Sequence, residues 1–413
     1  MGSKKLIWIV LIVATASFAQ WQAIGPYGGY VRSVVVSQTN DNIVYAASYA
    51  NPTVVAKSTN GGSTWTTMGV IPNQAYCMAI DPTNDNKLYA GSGHVIYRST
   101  DGGVNWLSTT MSNKYIYGIA VHPTAPTTIC ASGMSYTGTK WGLAFFKSTD
   151  SGVNWTTTVI DTSGSSNYGY CLAIDRTNPN TIYVGGYSYT TSYIPRIYKS
   201  TNGGTNWIDV STDTVFQNAY YIYSMAVHPT NSNIVYAGTY LKGIMRSTDG
   251  GNSWTKVSTN YYNYSMATSI ASPDIAYSGC YGEVYKTTNA GLSWTSVSSG
   301  LSGSYIYGLA VSAQNASNVY AGNNKGIFKT TTGGSSWVSI NNNLNMGSIL
   351  SFANAPSSPS TIYTSFAEVG VFKTTNSGSD WIQLPTPVGC GNICEFAVAY
   401  NNPNIIYALE GSG

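Results

Sequence analysis

Ser99-Thr-Asp-Gly-Gly-Val-Asn-Trp106 is the stretch that decides the fold. Seven relatives of it recur, ending at Trp65, Trp155, Trp207, Trp254, Trp294, Trp337 and Trp381. Successive tryptophans lie 41, 49, 52, 47, 40, 43 and 44 residues apart. A recurring period of this size marks a tandem array, which sets the architecture before any single residue does. In each box a Lys or Arg, a Ser or Thr, a Thr and usually an Asp or Asn precede glycine at one or both of the next two positions. Apolar runs flank it, such as VIYRST (95–100) before and WTKVS (254–258) after. Two strand-like runs joined by a glycine turn predict a β-hairpin. The Asp or Asn accepts bonds from nearby backbone amides, and glycine takes the positive φ that follows. The tryptophan then packs its ring on neighbouring strands.

A second signature follows each tryptophan, as in MAIDPTNDNKLYAGS (78–92), MAVHPTNSNIVYAGT (225–239) and LAVSAQNASNVYAGN (309–323). It reads as another strand pair around a polar turn. Each repeat therefore holds four short strands and no helical period. Four strands per repeat, many times over, is the arithmetic of propeller blades. The expected fold is all-β: a single β-propeller of four-stranded antiparallel blades, with eight complete repeats and a partial ninth. The ninth begins with EFAVAYNNPNIIYALEGSG (395–413) and lacks its box. Trp21 to Ile24 could add an outer strand to that blade; otherwise the chain is a piece of a longer protein, which is the favoured reading. Domain limits read as 1–19 for a leader and 20–413 for the propeller.

The pattern Ser/Thr-x-Asp-x-Gly-x-x-x-Trp resembles the Asp-box, or BNR repeat, of sialidases, xyloglucan-active glycosidases, sortilin-type receptors and photosystem assembly factors. The resemblance spans essentially all of 21–413. It implies a structural role in the outer turns for Asp101, Trp106, Asp150, Trp155, Asp249 and Trp254. It implies no single activity, because those relatives include enzymes, receptors and assembly factors.

Composition narrows the class. Charged residues are only 8% of the chain, while Gly numbers 43 and Tyr 34. The formal charge is +3, and without Lys4 and Lys5 it is 17 − 16 = +1. Eight of the cations hold one repeat position: Lys57, Arg98, Lys147, Lys199, Arg246, Lys286, Lys329 and Lys373. A cation spread once per blade is a feature of the repeat and not a basic patch, which argues against nucleic-acid binding. The start, MGSKK followed by LIWIVLIVATASFA, reads as a secretory signal peptide and not as a membrane span. The expected location is therefore secreted, cell-surface or periplasmic, without membrane insertion. Cys77 and Cys171 hold equivalent strand positions and read as small core residues. Cys390 and Cys394 could close a small loop in an oxidising compartment. Beside Cys390 and Cys394 no second Cys or His pair stands at metal-ligand spacing, so neither a metal nor another cofactor is expected.

In a propeller the innermost strand lines a central channel. Loops entering that strand share one face with loops joining strands two and three. That face is rich in tyrosine here. The candidate ligand-binding set is Tyr117, Tyr136, Trp141, Tyr170, Tyr187, Tyr189, Tyr193, Tyr223, Tyr264 and Tyr307. Tyrosine offers an apolar ring and a hydroxyl, which suits a sugar; the competing reading is packing between blades. The expected partner is a glycan or cell-surface polymer, or else a protein ligand. Hydrolysis of a glycoside would need two facing carboxylates. Glu283, Glu368 and Glu395 are the weak candidates, from second-to-third-strand loops or an inner strand. The arginine triad of sialidases is missing: beyond the boxes only Arg32, Arg176 and Arg196 remain.

Overall fold

The computed structural model describes residues 29–342, 349–366, 370–384, 393–400 and 402–410. The side chains of 349, 350, 393–396, 409 and 410 are not among those described. The leader and Trp21 to Ile24 lie outside these residues. The described chain is all-β, relieved by one 3-10 turn at Thr214–Phe216. Its repeats fold as eight four-strand units, with a two-stranded sheet at 393–410 as the ninth. We number the first seven units as blades: 31–71, 77–110, 114–161, 166–209, 222–256, 265–296 and 308–339. Blades 3 and 4 are joined into one sheet of eight strands through a parallel bridge, Trp141 to Ser166.

Each box does what its residue types require. In blade 2, Ser99 Oγ accepts from Gly103 N at 2.8 Å and donates to Asp101 Oδ1 at 2.8 Å. Asp101 Oδ1 in turn accepts from Asn105 N at 2.9 Å. Gly102 and Gly103 take φ of 73° and 87°, which side-chain-bearing residues rarely adopt. In blade 7 Thr332 stands where the acid would be, and its hydroxyl accepts from Ser336 N at 3.2 Å, so the turn closes without a carboxylate.

The acids of these turns give the fold a pH dependence. Asp101, Asp150 and Asp249 are each held down to about 2. The main cause is the backbone amide of Asn105 for Asp101 and of Asn154 for Asp150. Slight burial opposes the shift at Asp249, and hydrogen bonds from Ser253 outweigh it. A folded pKa below the unfolded value of about 3.9 stabilises the fold above that pH and loses its effect as pH falls towards 2. The melting temperature should therefore drop between about pH 4 and pH 2. A D101N/D150N/D249N protein, whose boxes then match those of Asn60 and Asn202, should show a shallower drop; equal slopes would contradict this.

The cation of each box reaches into the next blade. Lys147 Nζ donates to Gly203 O at 3.0 Å, Lys199 Nζ to Gly250 O at 2.7 Å and Lys286 Nζ to Gly333 O at 3.0 Å. Arg98 and Arg246 do the same to Gly152 O and Ala290 O. A buried tyrosine of the second strand supports several of these seams: Tyr183 OH donates to Gly250 O and Tyr277 OH to Ala316 O, each at 2.9 Å.

The same contacts show where the ring closes. Lys329 Nζ of blade 7 donates to Gly61 O of blade 1 at 2.8 Å. Trp65 Nε1 of blade 1 donates to Ile340 O at 2.7 Å, just past blade 7. One core cluster holds Val31, Val34, Ala46 and Trp65 together with Ala310, Tyr320 and Ile327. The first strands of the seven blades pack on one another in a full circuit, with Val31–Val36 against both Cys77–Asp81 and Gly308–Val311. Seven blades thus make a closed ring in which each blade keeps its own four strands. The count of eight repeats and a part agrees with the sequence reading, but their placement in one ring does not. The unit at 349–384 packs on the sheet at 393–410 instead, where Lys373 Nζ meets Asn404 Oδ1 at 2.8 Å. Blade 1 already occupies the flank of blade 7 that the eighth unit would have needed.

Candidate functional site: a tyrosine-lined channel mouth

In four blades the inner strand enters the channel through a short irregularity. In blades 1, 3, 4 and 5 the pairing between first and second strands skips one residue: Arg32, Tyr117, Tyr170 and Tyr223 respectively. An extra residue of this kind bends the strand and re-aims its side chain. Aligning the blades on these strands puts Tyr76, Tyr264 and Tyr307 at the same position in blades 2, 6 and 7. A small residue always follows: Ser33, Cys77, Gly118, Cys171, Ser224, Ser265 or Gly308. The second strand answers with glycine in most blades. A Cβ on Gly185 would sit 2.7 Å from Ile222 and 2.8 Å from Cys171, and one on Gly91 would sit 2.8 Å from Cys77. The cysteines are therefore small packing residues. Cys77, Cys130, Cys171 and Cys280 are free, and burial pushes each thiol up to about 12. Cys390 lies outside the described residues, as does the side chain of Cys394.

The mouth so built encloses about 370 Å³, within the range of small-molecule sites. Its lining includes Arg32, Tyr76, Tyr117, Tyr170, Tyr223, Tyr264 and Tyr307, one from each blade, with Tyr49 beside them. The six tyrosine rings form an unbroken arc. Their centroids are 5.5 Å apart from 76 to 117, then 5.6, 5.1, 5.4 and 4.7 Å on to 307. Arg32 fills the gap in the arc, its guanidinium carbon 4.0 Å from the Tyr307 ring centre. Burial, and then neighbouring tyrosines, push Tyr117 and Tyr170 well above the ordinary phenol value. The hydroxyls are thus neutral donors and acceptors at physiological pH.

Beside the mouth stands a higher rim. Blades 3 and 4 extend their second and third strands to Tyr136/Trp141 and Tyr189/Tyr193. Tyr136, Tyr189 and Tyr193 are exposed. Trp141 packs on Tyr115 at 5.3 Å, and Tyr193 on Tyr221 at 4.9 Å, so aromatic contact runs from rim to mouth. A polar cluster fastens the two blades: Asp161 of blade 3 accepts from Ser188 Oγ of blade 4 and lies 3.7 Å from Arg196, which bonds Asp209 Oδ2 of its own blade at 2.8 Å. Burial raises the Asp161 carboxyl, but hydrogen bonds from Ser188 and Ser163 win and hold it below its ordinary value.

The sequence-derived candidates separate into groups. Tyr117, Tyr170, Tyr223, Tyr264 and Tyr307 come together at the mouth, and Tyr136, Trp141, Tyr189 and Tyr193 at the rim. Tyr187 belongs to neither: it is buried, stacked 4.9 Å from Tyr168 and 4.8 Å from Tyr221, and supports the surface from beneath. Glu283 turns to its own blade, where Tyr285 OH donates to it at 2.9 Å and Ser296 Oγ at 3.1 Å. Glu368 and the Glu395 side chain lie outside the described residues. Other acids have local work: Asp213 accepts from Val215 N and Trp254 N, and Asp274 pairs with His228 at 3.3 Å. Among the described residues no three His, Cys, Asp or Glu side chains converge as a metal site. Arg32 is the residue that the tyrosine pattern concealed. Its signal was register: VRSVVV aligns with AYCMAI and IYSMAV only once the strands are superimposed.

Fold and mouth together define a seven-bladed propeller with an aromatic entrance to its axis. The model of the DUF6242 beta propeller domain matches residues 18–272, more than half of the chain, and the chain belongs to that family. No curated protein matches it in sequence. Among solved structures it is similar to the GH74 xyloglucanase from Xanthomonas campestris, with a TM-score of 0.66 and 13% identity over 92% of this chain and 71% of that one. An ancestral GH74 enzyme gives a TM-score of 0.70 at 21% identity, over 95% of this chain and 60% of that one. YCF48 bound to D1 peptide gives 0.52 at 14% identity, over 74% and 95%. Similarities this distant concern the fold.

Proposed function

We propose that this is a secreted, non-catalytic binding propeller that takes a glycan or cell-surface polymer at the tyrosine-lined mouth. One observation carries the reading: six blades each deliver a neutral tyrosine to one concave site, and among the described residues no carboxylate lines it. Rings offer apolar faces to a pyranose, and hydroxyls meet its polar edge. A hydrolase would place two carboxylates roughly 5–10 Å apart across the bond. The GH74 likeness is one of fold, and the mouth lining lacks that pair. The leader-like first nineteen residues support export.

The test is titration calorimetry against a panel of plant and bacterial cell-wall oligosaccharides, with the release of new reducing ends followed in parallel. Tyr170→Ala and Tyr264→Ala should each weaken binding at least about tenfold, or about 1.4 kcal/mol. Trp141→Ala should cost less, since it stands at the rim. Binding unchanged in both mouth variants, binding only to a protein ligand, or turnover of the oligosaccharide would each contradict the proposal.

A further inference from the structure

We propose that the ligand of the mouth carries an acidic group on a sugar, and that Arg32 reads it. This rests on the binding reading above and adds the charge of what is bound.

Arg32 occupies the position that is tyrosine in the six other blades of the ring. It is the residue skipped in the pairing of its strand, so its side chain is aimed into the mouth as Tyr117, Tyr170 and Tyr223 are. Among the described residues it is the one charged residue of the lining. It lies against ring faces, 4.0 Å from the centre of Tyr307 and 5.5 Å from that of Tyr49. Among the described residues no hydrogen-bond acceptor meets its five N–H groups and no carboxylate comes within ion-pair distance.

The other four arginines show how this chain treats a structural guanidinium. Arg98 donates to Gly152 O, Arg246 to Ala290 O, Arg176 to Gln38 and Arg196 to Asp209. Each has a polar partner, and among the described residues Arg32 has ring faces alone. Its field spreads across the cavity: it opposes the burial-driven rise at Tyr76, Tyr223 and Tyr307, which sit on three other blades. A cation held in a half-enclosed site without a counter-charge gains most from an anionic ligand. The planar fork suits a carboxylate or a sulfate, with two parallel N–H···O bonds, while the tyrosines hold the ring that bears it.

The experiment compares three probes of equal length on the full chain: a uronic-acid trisaccharide, its carboxyl-reduced neutral counterpart and a sulfated trisaccharide. Wild-type protein should bind one or both acidic probes at least tenfold more tightly than the neutral one, with affinity falling as salt is raised. Arg32→Met, which keeps the stem against Tyr307, should lose that preference, its affinity for the acidic probes falling to that for the neutral one, while keeping its melting temperature. Arg32→Lys keeps the charge without the fork and should fall between. The two acidic probes tell a uronate from a sulfate reader. Equal wild-type affinity for neutral and acidic probes overturns the inference and leaves the glycan reading standing. Arg32→Met that still prefers the acid also overturns it. If Tyr170→Ala alters none of the three affinities, the mouth reading itself fails and this inference with it.

Discussion

Trp65→Ala is expected to open the propeller. Trp65 is buried, and its indole nitrogen bonds Ile340 O across the one seam of the ring that no chain segment spans directly. Truncating a buried tryptophan leaves a cavity and costs about 3–5 kcal/mol. The other seam contacts, among them Lys329 to Gly61 O, Gln314 to Thr39 O and Ser312 to Asp41, are polar, and none of them fills the space that the indole leaves in the shared core. Trp254 provides the comparison. It is equally buried and bonds Val210 O at 2.9 Å, but the chain runs directly between its blade and the preceding one. Both variants should melt earlier. Only Trp65→Ala should enlarge the radius of gyration and expose blades 1 and 7 to protease before the others. Identical digestion patterns for the two would show that the seam lies elsewhere.

Gly186→Ala is expected to displace the mouth as well as destabilise it. Gly186 pairs with Gly169 beside the irregularity that aims Tyr170. A Cβ there would overlap the Tyr168 carbonyl oxygen, with the Tyr168 carbon and the Gly169 backbone close behind. The obstruction is backbone, so no side chain can swing aside. Overpacking of this kind costs about 1–3 kcal/mol, and here the strand that gives way carries Tyr168 and Tyr170. Melting should fall, and glycan affinity should fall with it. Gly138→Ala is the comparison: its added Cβ meets nothing within 4 Å, so any loss of stability there comes from its φ of 94° alone, and at the rim turn it should leave the mouth in place. A Gly186→Ala protein with wild-type stability would contradict the close approach described here.

The repeat, its four strands and the role of its box could be read from the sequence because each rests on local chemistry. A serine, an acid or amide and a glycine at fixed offsets specify one turn wherever they stand. Ring size could not be read in this way. Lys329 looks like Lys286, and nothing local says whether it reaches the box of the eighth repeat or returns to Gly61. That choice depends on the summed rotation of seven blades, which is a global quantity. The tyrosines were legible as a set, but their depths were not. Tyr187 and Tyr189 are two residues apart on one strand; the first is buried under Tyr168, and the second is exposed at the tip. Arg32 was hidden because its meaning comes from the six tyrosines it replaces, and those become equivalent only when the strands are in register.

Hydrogen exchange with and without a bound oligosaccharide tests the central claim most directly. The account predicts slowed exchange at the starts of the inner strands, in segments containing Arg32, Tyr76, Tyr117, Tyr170, Tyr223, Tyr264 and Tyr307, from all seven blades at once. Protection confined to the box turns around Trp106, Trp155 and Trp254, or limited to a single blade, would contradict it.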